Sequence, residues 1–550
     1  MTSVPSLRNI SAVVLLVRAK AGGEFTFSLQ QGRERVTEIA TGRVISGDRE
    51  VPREIIMERA GRAASGFTAL GVAAGDAIAV VLRNDFPFFE ASYAAQRLGA
   101  YCVPVNWHGK TPEIAYVLQD CGAKAVVAHS DLLPQVAPAM PEGVPLLVVS
   151  TPLEIAAAYR IPSGLCRVPA GARAWDEWVG GLTPMPEGAF AAFSSMIYTS
   201  GTTGHPKGVR RLNLGQEFAE TVARVSREVL GFVQGRPIRT VITGPVYHSV
   251  PNFYGLRALR EGALVILQPR FDAEGLLQLI EQYRITHLHT VPTMFVRLLR
   301  LPEGVRRRYD LSSLEWVAHG AAPCPTHVKR AMIDWWGAII TEYYGGTESG
   351  FVTFHTTEEA LRKPGTVGRP LADATVRVYG DDGRELPPGE IGEIYVRLQG
   401  AGDFTYHGMP DKRREIERNG LISIGDVGYL DEDGYLFLCD RKRDMVISGG
   451  VNIYPAEIEA ALLALPGVHD CAVFGIPHEE FGETLCTHIE PESGVVLAET
   501  AIRSFLRERL AHFKVPRIIR FEANLPREDS GKIFKRRLRD PYWERAGRRI

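Results

Sequence analysis

Apolar and polar positions change period several times along the chain, and those changes divide it. From Val51 the spacing is helical over 52–70, strand-like over 78–82, helical over 87–98, strand-like over 101–105, helical over 112–121 and strand-like over 124–128. Apolar residues three or four apart make one stripe on a helix, whereas a short apolar run bounded by turn residues reads as a buried strand. Strands alternating with helices predict a parallel, doubly wound sheet that presents ligands at the C-terminal ends of its strands. After the run 191–197 the alternation resumes, with strands over 240–243, 263–267, 286–291, 316–318 and 338–341 and a helix over 273–283. Near Thr366 short runs separated by tight turns take over, at 367–370, 375–378 and 391–398, which predicts a small antiparallel β subdomain. Residues 425–436 read as turns. A charge run, 440–444, separates them from a last pattern: helix 455–465, strand 471–476, helix 499–510, strand 518–521. The expectation is an α/β chain. A large N-terminal domain, 1–442, holds two doubly wound α/β subdomains and a small β-barrel-like subdomain, and it is hinged to a small α+β C-terminal domain, 443–550. Residues 1–50 carry no readable pattern.

Composition narrows the function. A length of 550 residues exceeds one hydrophobic core. With 45% apolar residues, 23% charged residues and a net charge of −1, no overall field draws the chain to nucleic acid or to a membrane, so small-molecule chemistry is expected. The longest early apolar run, 12–17, is far shorter than the ~20 residues that span a bilayer, and it lacks the flanks of a signal peptide. Seven scattered cysteines without a CxxC pair fit buried thiols in a reduced, cytoplasmic protein. His287-Leu288-His289 is the one tight histidine pair; with no cysteine or carboxylate cluster beside it, a structural role is expected.

Chemistry concentrates in a few strings. Tyr198-Thr199-Ser200-Gly201-Thr202-Thr203-Gly204-His205-Pro206-Lys207-Gly208 combines four Ser/Thr hydroxyls, three glycines and a lysine. Glycines let backbone N–H groups approach a ligand, hydroxyls add donors, and the lysine adds a mobile charge, a set that suits a polyphosphate. It is not a Walker A loop. His248 follows a strand end, and Asn106-Trp107-His108 follows another as a candidate substrate contact. Gly320-Ala321-Ala322-Pro323 is small enough for a flat ring to lie against backbone. Tyr343-Tyr344-Gly345-Gly346-Thr347-Glu348, Gly425-Asp426-Val427-Gly428, the charge run with Ile447-Ser448-Gly449-Gly450 after it, and Pro526 to Ile533 complete the set.

In this order the strings resemble the signature motifs of the adenylate-forming superfamily, which holds acyl-CoA synthetases, luciferases and nonribosomal-peptide adenylation domains. Among its branches the chain is most similar to an acyl-CoA synthetase (fatty-acid–CoA ligase). The resemblance runs from Tyr198 to Lys532. It implies that Thr199, Ser200, Gly201, Thr202, Thr203, Gly204 and Lys207 grip the phosphates of ATP. Gly320, Ala321 and Ala322 would wall the adenine and acyl sites, and Tyr343, Tyr344, Gly345 and Thr347 would contact nucleotide. Glu348 would help hold Mg²⁺, and Asp426 and Arg441 the ribose. His248 would line the acyl pocket beside the carboxylate. Lys532 would bridge carboxylate and phosphate. Gly449 and Gly450 would line the tunnel for coenzyme A. Arg443 would sit at the hinge pivot, where relatives often carry Asp or Lys. Thr199, His248, Glu348 and Lys532 are thereby the catalytic candidates.

The implied reaction joins a carboxylic acid to AMP with loss of pyrophosphate, then to coenzyme A. Tyr247, His248, Asn252, Phe253 and Gly320 offer no cation for a second carboxylate, so an apolar acid is expected; fatty, aryl and steroid-side-chain acids stay open, medium- or long-chain fatty first and aryl next. Loading of a carrier protein or an amine, and a nucleotide-binding regulator without turnover, stay open; a phosphotransferase would release ADP instead of AMP. Association as a homodimer also stays open.

Overall fold

The computed structural model describes residues 42–186, 195–199, 206–212, 215–442, 444–448, 451–527 and 533–545. The first block is a parallel sheet of five strands in the order Tyr101–Pro104, Ala77–Val81, Ala123–His129, Leu146–Val149, Arg173–Ala174. Ala77–Val81 is buried at every position, as a parallel strand covered on both faces must be. The helices Arg53–Ala69 and Phe86–Leu98 pack together on one face. A small residue on the first of them lets the helix Trp175–Gly180 close in as well: a Cβ at Gly66 would lie 2.3 Å from the Trp178 ring. Asp85 caps the second helix by accepting from Phe86 N at 2.9 Å, and Gly99 ends it in the left-handed region.

The second block is a nine-stranded sheet. Its order is Arg369–Pro370, Gly350–His355, Ile340–Gly346, Trp316–His319, His287–Thr290, Arg239–Ile242, Leu264–Leu267, Arg43–Ser46, Arg49–Pro52. The six strands from Ile340–Gly346 to Arg43–Ser46 are parallel, and the outer pairs are antiparallel. Two placements differ from the sequence reading. Residues 43–52, which showed no pattern, close one edge of this sheet. Arg369–Pro370 joins its other edge rather than the β subdomain, because Gly368 crosses so close to Phe354 that a Cβ would meet backbone at 2.3 Å.

The β subdomain contains Ala374–Tyr379, Gly392–Leu398, Leu421–Leu430, Glu417–Arg418 and Leu436–Arg441. The stretch 425–436 therefore includes two paired strand segments and not turns alone. Its glycines misled the reading for a physical reason: Gly428 sits at a register shift where a Cβ would meet the Phe437 carbonyl at 2.1 Å, so glycine serves close strand pairing there. The charge run likewise begins inside a strand, since Asp440 and Arg441 are register partners of Val427 and Asp426. A three-stranded sheet, Asp403–Tyr406, Lys207–Leu212, Ile197–Thr199, joins this region to the second block.

The C-terminal region has a sheet in the order Val451–Ile453, Val446–Ser448, Gly482–Pro491, Val468–His478, with Ile518–Phe521 beside Gly482–Pro491. The helices Pro455–Leu463, Glu499–Arg507 and Lys535–Arg545 cover it. The strand Gly482–Pro491 and the last helix were not read from sequence. That helix is strongly polar and contains Pro541; it docks through Trp543, whose Nε1 donates to Gly475 O at 3.1 Å. Among the described residues no helix is long and apolar enough to cross a membrane, and all seven cysteines are free thiols.

The core below the nine-stranded sheet centres on Leu288, Phe295, Val317 and Met332, all 0% exposed. Phe295→Ala should cost ~3–5 kcal/mol, as large-to-small core changes do. It would be read as a lower urea midpoint by tryptophan fluorescence, with Phe295→Leu losing clearly less.

Candidate active site

The ends of the parallel strands, the three-stranded sheet and the β subdomain surround one cavity of about 1120 Å³. Thr199 and Lys207 are register partners on adjacent antiparallel strands, so both ends of the hydroxyl-rich string are fixed at one edge of the cavity. Across from them the turn after Ile340–Gly346 carries Glu348. Thr199 Oγ1 donates to Glu348 Oε1 at 3.4 Å, and Tyr406 OH donates to the same oxygen at 3.1 Å. Lys207 Nζ lies 5.1 Å from the centre of the Tyr406 ring. Beneath this turn Arg211 donates from Nη2 to Thr347 O at 2.7 Å. Burial pushes its pKa down to about 10, against the pull of Glu348 and Asp403, so it stays charged at neutral pH and steadies the Glu348 turn. Arg211 and Tyr406 were missed by sequence reasoning; the only hint was the Arg210-Arg211 pair just after the hydroxyl-rich string.

A second wall is the loop 244–248 before the helix Ser249–Arg260. Asn84 from the first block ties it down, donating to Gly244 O at 3.0 Å and accepting from Val246 N at 3.0 Å. Asn252 donates to Val246 O at 3.2 Å and accepts from Ser195 Oγ at 2.9 Å. The loop thereby presents His248 to the cavity at the start of the helix, its ring 4.4 Å from that of Tyr247. Asn84 too carried no signal in sequence.

A third wall follows Trp316–His319. Ala321 and Ala322 border the cavity, and Ala321 has φ +66°, a left-handed conformation uncommon outside glycine. Gly320 lies behind them; a Cβ there would sit 2.6 Å from the Tyr343 ring. The two adjacent tyrosines divide. Tyr343 borders the cavity and its hydroxyl meets His289 Nε2 at 2.8 Å. Tyr344 points the other way, and its hydroxyl donates to Asp426 Oδ2 at 2.8 Å. Burial pushes the Tyr344 phenol well up, so it remains a donor. Asp426 also pairs through Oδ1 with Arg441 Nε at 3.2 Å.

Gly345, Thr347, Arg441 and Lys442 border the same space, as does Phe534 of the C-terminal region. Lys442 is held by Glu393 at 2.9 Å. Behind Phe534, Lys535 pairs with Glu459 at 2.7 Å. Burial raises the Glu459 carboxyl to about 7 despite that lysine, and Lys535 itself is raised to about 12 against its own burial. Asn106 borders the cavity, whereas Trp107 packs under Arg83, 4.6 Å from the ring centre. The expected sites at Ser200, Gly201, Thr202, Thr203, Gly204, Arg443, Gly449, Gly450 and Lys532 lie outside the described residues. His287 is held by Gly231 O at 3.0 Å, and no group of three candidate metal ligands exists among the described residues.

This arrangement, Thr199 on Glu348 with Lys207 beside them at one large cavity, is that of an adenylate-forming enzyme. The chain belongs to the AMP-binding enzyme family: that family's model matches residues 53–402, and the model of the AMP-binding enzyme C-terminal domain matches 457–532. It is an AMP-forming ligase of that family, as the motifs implied, and its curated relatives include acyl-CoA ligases and a fatty acid–[acyl-carrier-protein] ligase. It is 33% identical over 494 residues to a feruloyl-CoA synthase of Amycolatopsis sp, covering 88% of this chain and 92% of that one. It is 32% identical over 496 residues to a long-chain-fatty-acid–CoA ligase of Mycobacterium tuberculosis, covering 88% and 91%. The fold matches that of ATP-bound MatB from Rhodopseudomonas palustris with a TM-score of 0.74 and 27% identity, over 92% of this chain and 96% of that one.

Tyr344→Phe leaves Asp426 with Arg441 as its side-chain partner. The expected result is a Michaelis constant for ATP raised about fivefold, the equivalent of ~1 kcal/mol for one hydrogen bond, with kcat little changed. Steady-state kinetics at varied ATP checks it.

Proposed function

We propose that the chain is an ATP-dependent acid–CoA ligase acting on an apolar carboxylic acid. One observation carries the reading: the nucleotide-side groups Thr199, Lys207, Glu348 and Arg441 open into the same cavity as an apolar channel along the helix Ser249–Arg260. Val250, Phe253 and Leu256 of that helix border its apolar part, and Arg257 and Arg260 lie at the helix's C-terminal end, so the channel follows the whole helix, roughly 18 Å at 1.5 Å per residue. Medium- or long-chain fatty acids and aryl acids both suit such a channel.

The acid's carboxylate attacks the α-phosphorus of ATP; the α,β-bridging oxygen leaves with pyrophosphate, and an acyl adenylate forms. Two anions must meet, so the protein's part is positioning and charge neutralisation rather than a protein nucleophile. His248, at the mouth of the channel, orients the carboxylate. Lys207 faces the phosphates with the hydroxyls of the 199–203 string, and Lys532 bridges carboxylate and α-phosphate. Asp426 and Arg441 hold the ribose. Glu348 fits a Mg²⁺ ion: Oε1 is taken by Thr199 and Tyr406, Oε2 has no described hydrogen bond, and a hard carboxylate oxygen beside phosphates matches that cation. Bound there, the ion would neutralise charge on the departing pyrophosphate.

In the second half the thiol of coenzyme A attacks the mixed anhydride and AMP leaves. We take residues 1–442 as the body and 443–550 as a lid that turns at Arg443, moving Lys532 out and bringing Gly449 and Gly450 to the thiol's path. A reduced, cytoplasmic setting fits the free cysteines.

The test is pyrophosphate and AMP release from ATP across a panel of fatty and aryl acids, with coenzyme A or a carrier protein as acceptor. Lys532→Ala should lower acyl-adenylate formation by on the order of 10²–10³, the range for one lost transition-state contact, while pre-formed acyl adenylate is still converted with coenzyme A. Equal loss in both half-reactions overturns the role of Lys532, and ADP in place of AMP overturns the reaction.

A further inference from the structure

The floor of the acyl channel is apolar and aromatic, with Phe253 against Phe351 at 5.8 Å between ring centres and Phe351 against Tyr343 at 4.6 Å. Into this floor the sheet places a buried polar pair. His289, on the strand His287–Thr290, and Tyr343, on Ile340–Gly346, point to the same face and meet at 2.8 Å through Nε2 and the phenol. Both border the cavity, at 5% and 4% exposure. Burial pushes the His289 pKa down to about 4, so the imidazole is neutral at physiological pH.

A neutral imidazole has one N–H and one lone pair, on different nitrogens. Nε2 is used by Tyr343. Nδ1 has no described hydrogen bond, and it is not among the sealed, unpartnered atoms of the interior, so it is open to the cavity that His289 borders. His319, on the opposite face of the same sheet, shows the contrast: both of its nitrogens lack partners too, but they are sealed in the core and face no ligand space. A ligand that displaces water from such an atom without replacing the hydrogen bond costs ~1–3 kcal/mol, and one that supplies the partner avoids that cost.

We infer that His289 and Tyr343 form a polar subsite in the channel floor that reads a hydroxyl on the tail of the acid. This rests on the acid–CoA ligase reading and names its substrate class: a carboxylic acid whose tail carries a hydroxyl, on a flat ring that the aromatic walls sandwich. The hydroxyl is singled out because it both donates and accepts. If Tyr343 donates to Nε2, then Nδ1–H donates to the ligand oxygen. In the other tautomer Nδ1 accepts the ligand's proton. An ether satisfies only the first arrangement. Tyr343 lies two residues below Gly345, roughly 7 Å along the strand, which places the subsite about one ring's length below the nucleotide end of the cavity.

Two acid series test this, each with a para-hydroxyl, a para-methoxy and an unsubstituted member: the benzoates and the cinnamates. A site built to bond a hydroxyl rejects the analogue that lacks it strongly, so the wild-type enzyme should prefer the hydroxylated member of one series by on the order of 10²-fold in kcat/KM, mostly through KM. His289→Phe should bring that ratio to within about threefold, and His289→Gln, which keeps a donor and an acceptor, should retain most of it. Tyr343→Phe, lacking a single oxygen, should lower the ratio and serves as the second variant if His289→Phe fails to fold. Equal kcat/KM across both series in the wild type overturns the subsite, as do variants that slow all members alike or turnover confined to fatty acids. Absence of pyrophosphate release with every acid, fatty ones included, overturns the ligase reading instead.

Discussion

The contact between Thr199 and Glu348 joins two segments 149 residues apart, and the rest of the site is arranged around it. A half-buried carboxylate needs donors or cations, because desolvated charge left alone is costly. Glu348 gets two hydroxyl donors, from Thr199 and Tyr406, and the field of the buried Arg211. Each donor comes from a different strand of one three-stranded sheet, so the carboxylate stays in place only if that sheet is formed. The sheet in turn exists only if residues 403–406 return to pair with 207–212. The geometry around Glu348 is thus a consequence of long-range pairing, while its second carboxylate oxygen has no described hydrogen bond.

Among the described residues, polar contacts help tie the C-terminal region to the rest of the chain. Arg300 at the end of the helix Pro292–Leu299 meets His469, its Nη1 3.1 Å from the imidazole Nε2 and its Nη2 donating to the His469 carbonyl. The strand Leu436–Arg441 leads directly out of the β subdomain into the charge run, and Asp440 Oδ2 accepts from Ala456 N across the junction at 2.9 Å. Burial raises the Asp440 pKa against the pull of Lys535. Exposed ion pairs and single hydrogen bonds are worth little each, which is compatible with the proposed turning of residues 443–550. The Lys535–Glu459 pair, by contrast, lies within the C-terminal region and fixes the base of the segment that carries Lys532.

The family was legible in the sequence because its motifs are local. Hydroxyls, glycines and a lysine in eleven consecutive residues, or Gly-x-Thr-Glu after a strand, need no tertiary information to be recognised. Helix and strand periods were legible for the same reason: Phe86–Leu98, Ala273–Tyr283 and Ile518–Phe521 fall within a residue of the pattern. Where the pattern misled, glycines were the cause. Gly428 and Gly368 are there to let backbones touch, and a sequence cannot distinguish that from a turn.

What the chain's order of residues determined, then, was the class of chemistry and the alternating architecture, since both follow from short-range patterns. Only the folded structure decided which of two adjacent tyrosines faces the acyl channel and which holds Asp426. In a strand, neighbours point to opposite faces, and the choice of face is set by the partner strands on either side. The same holds for His289, for which the sequence suggested only a structural role, and which borders the cavity because its strand lies two places from the one that carries Tyr343.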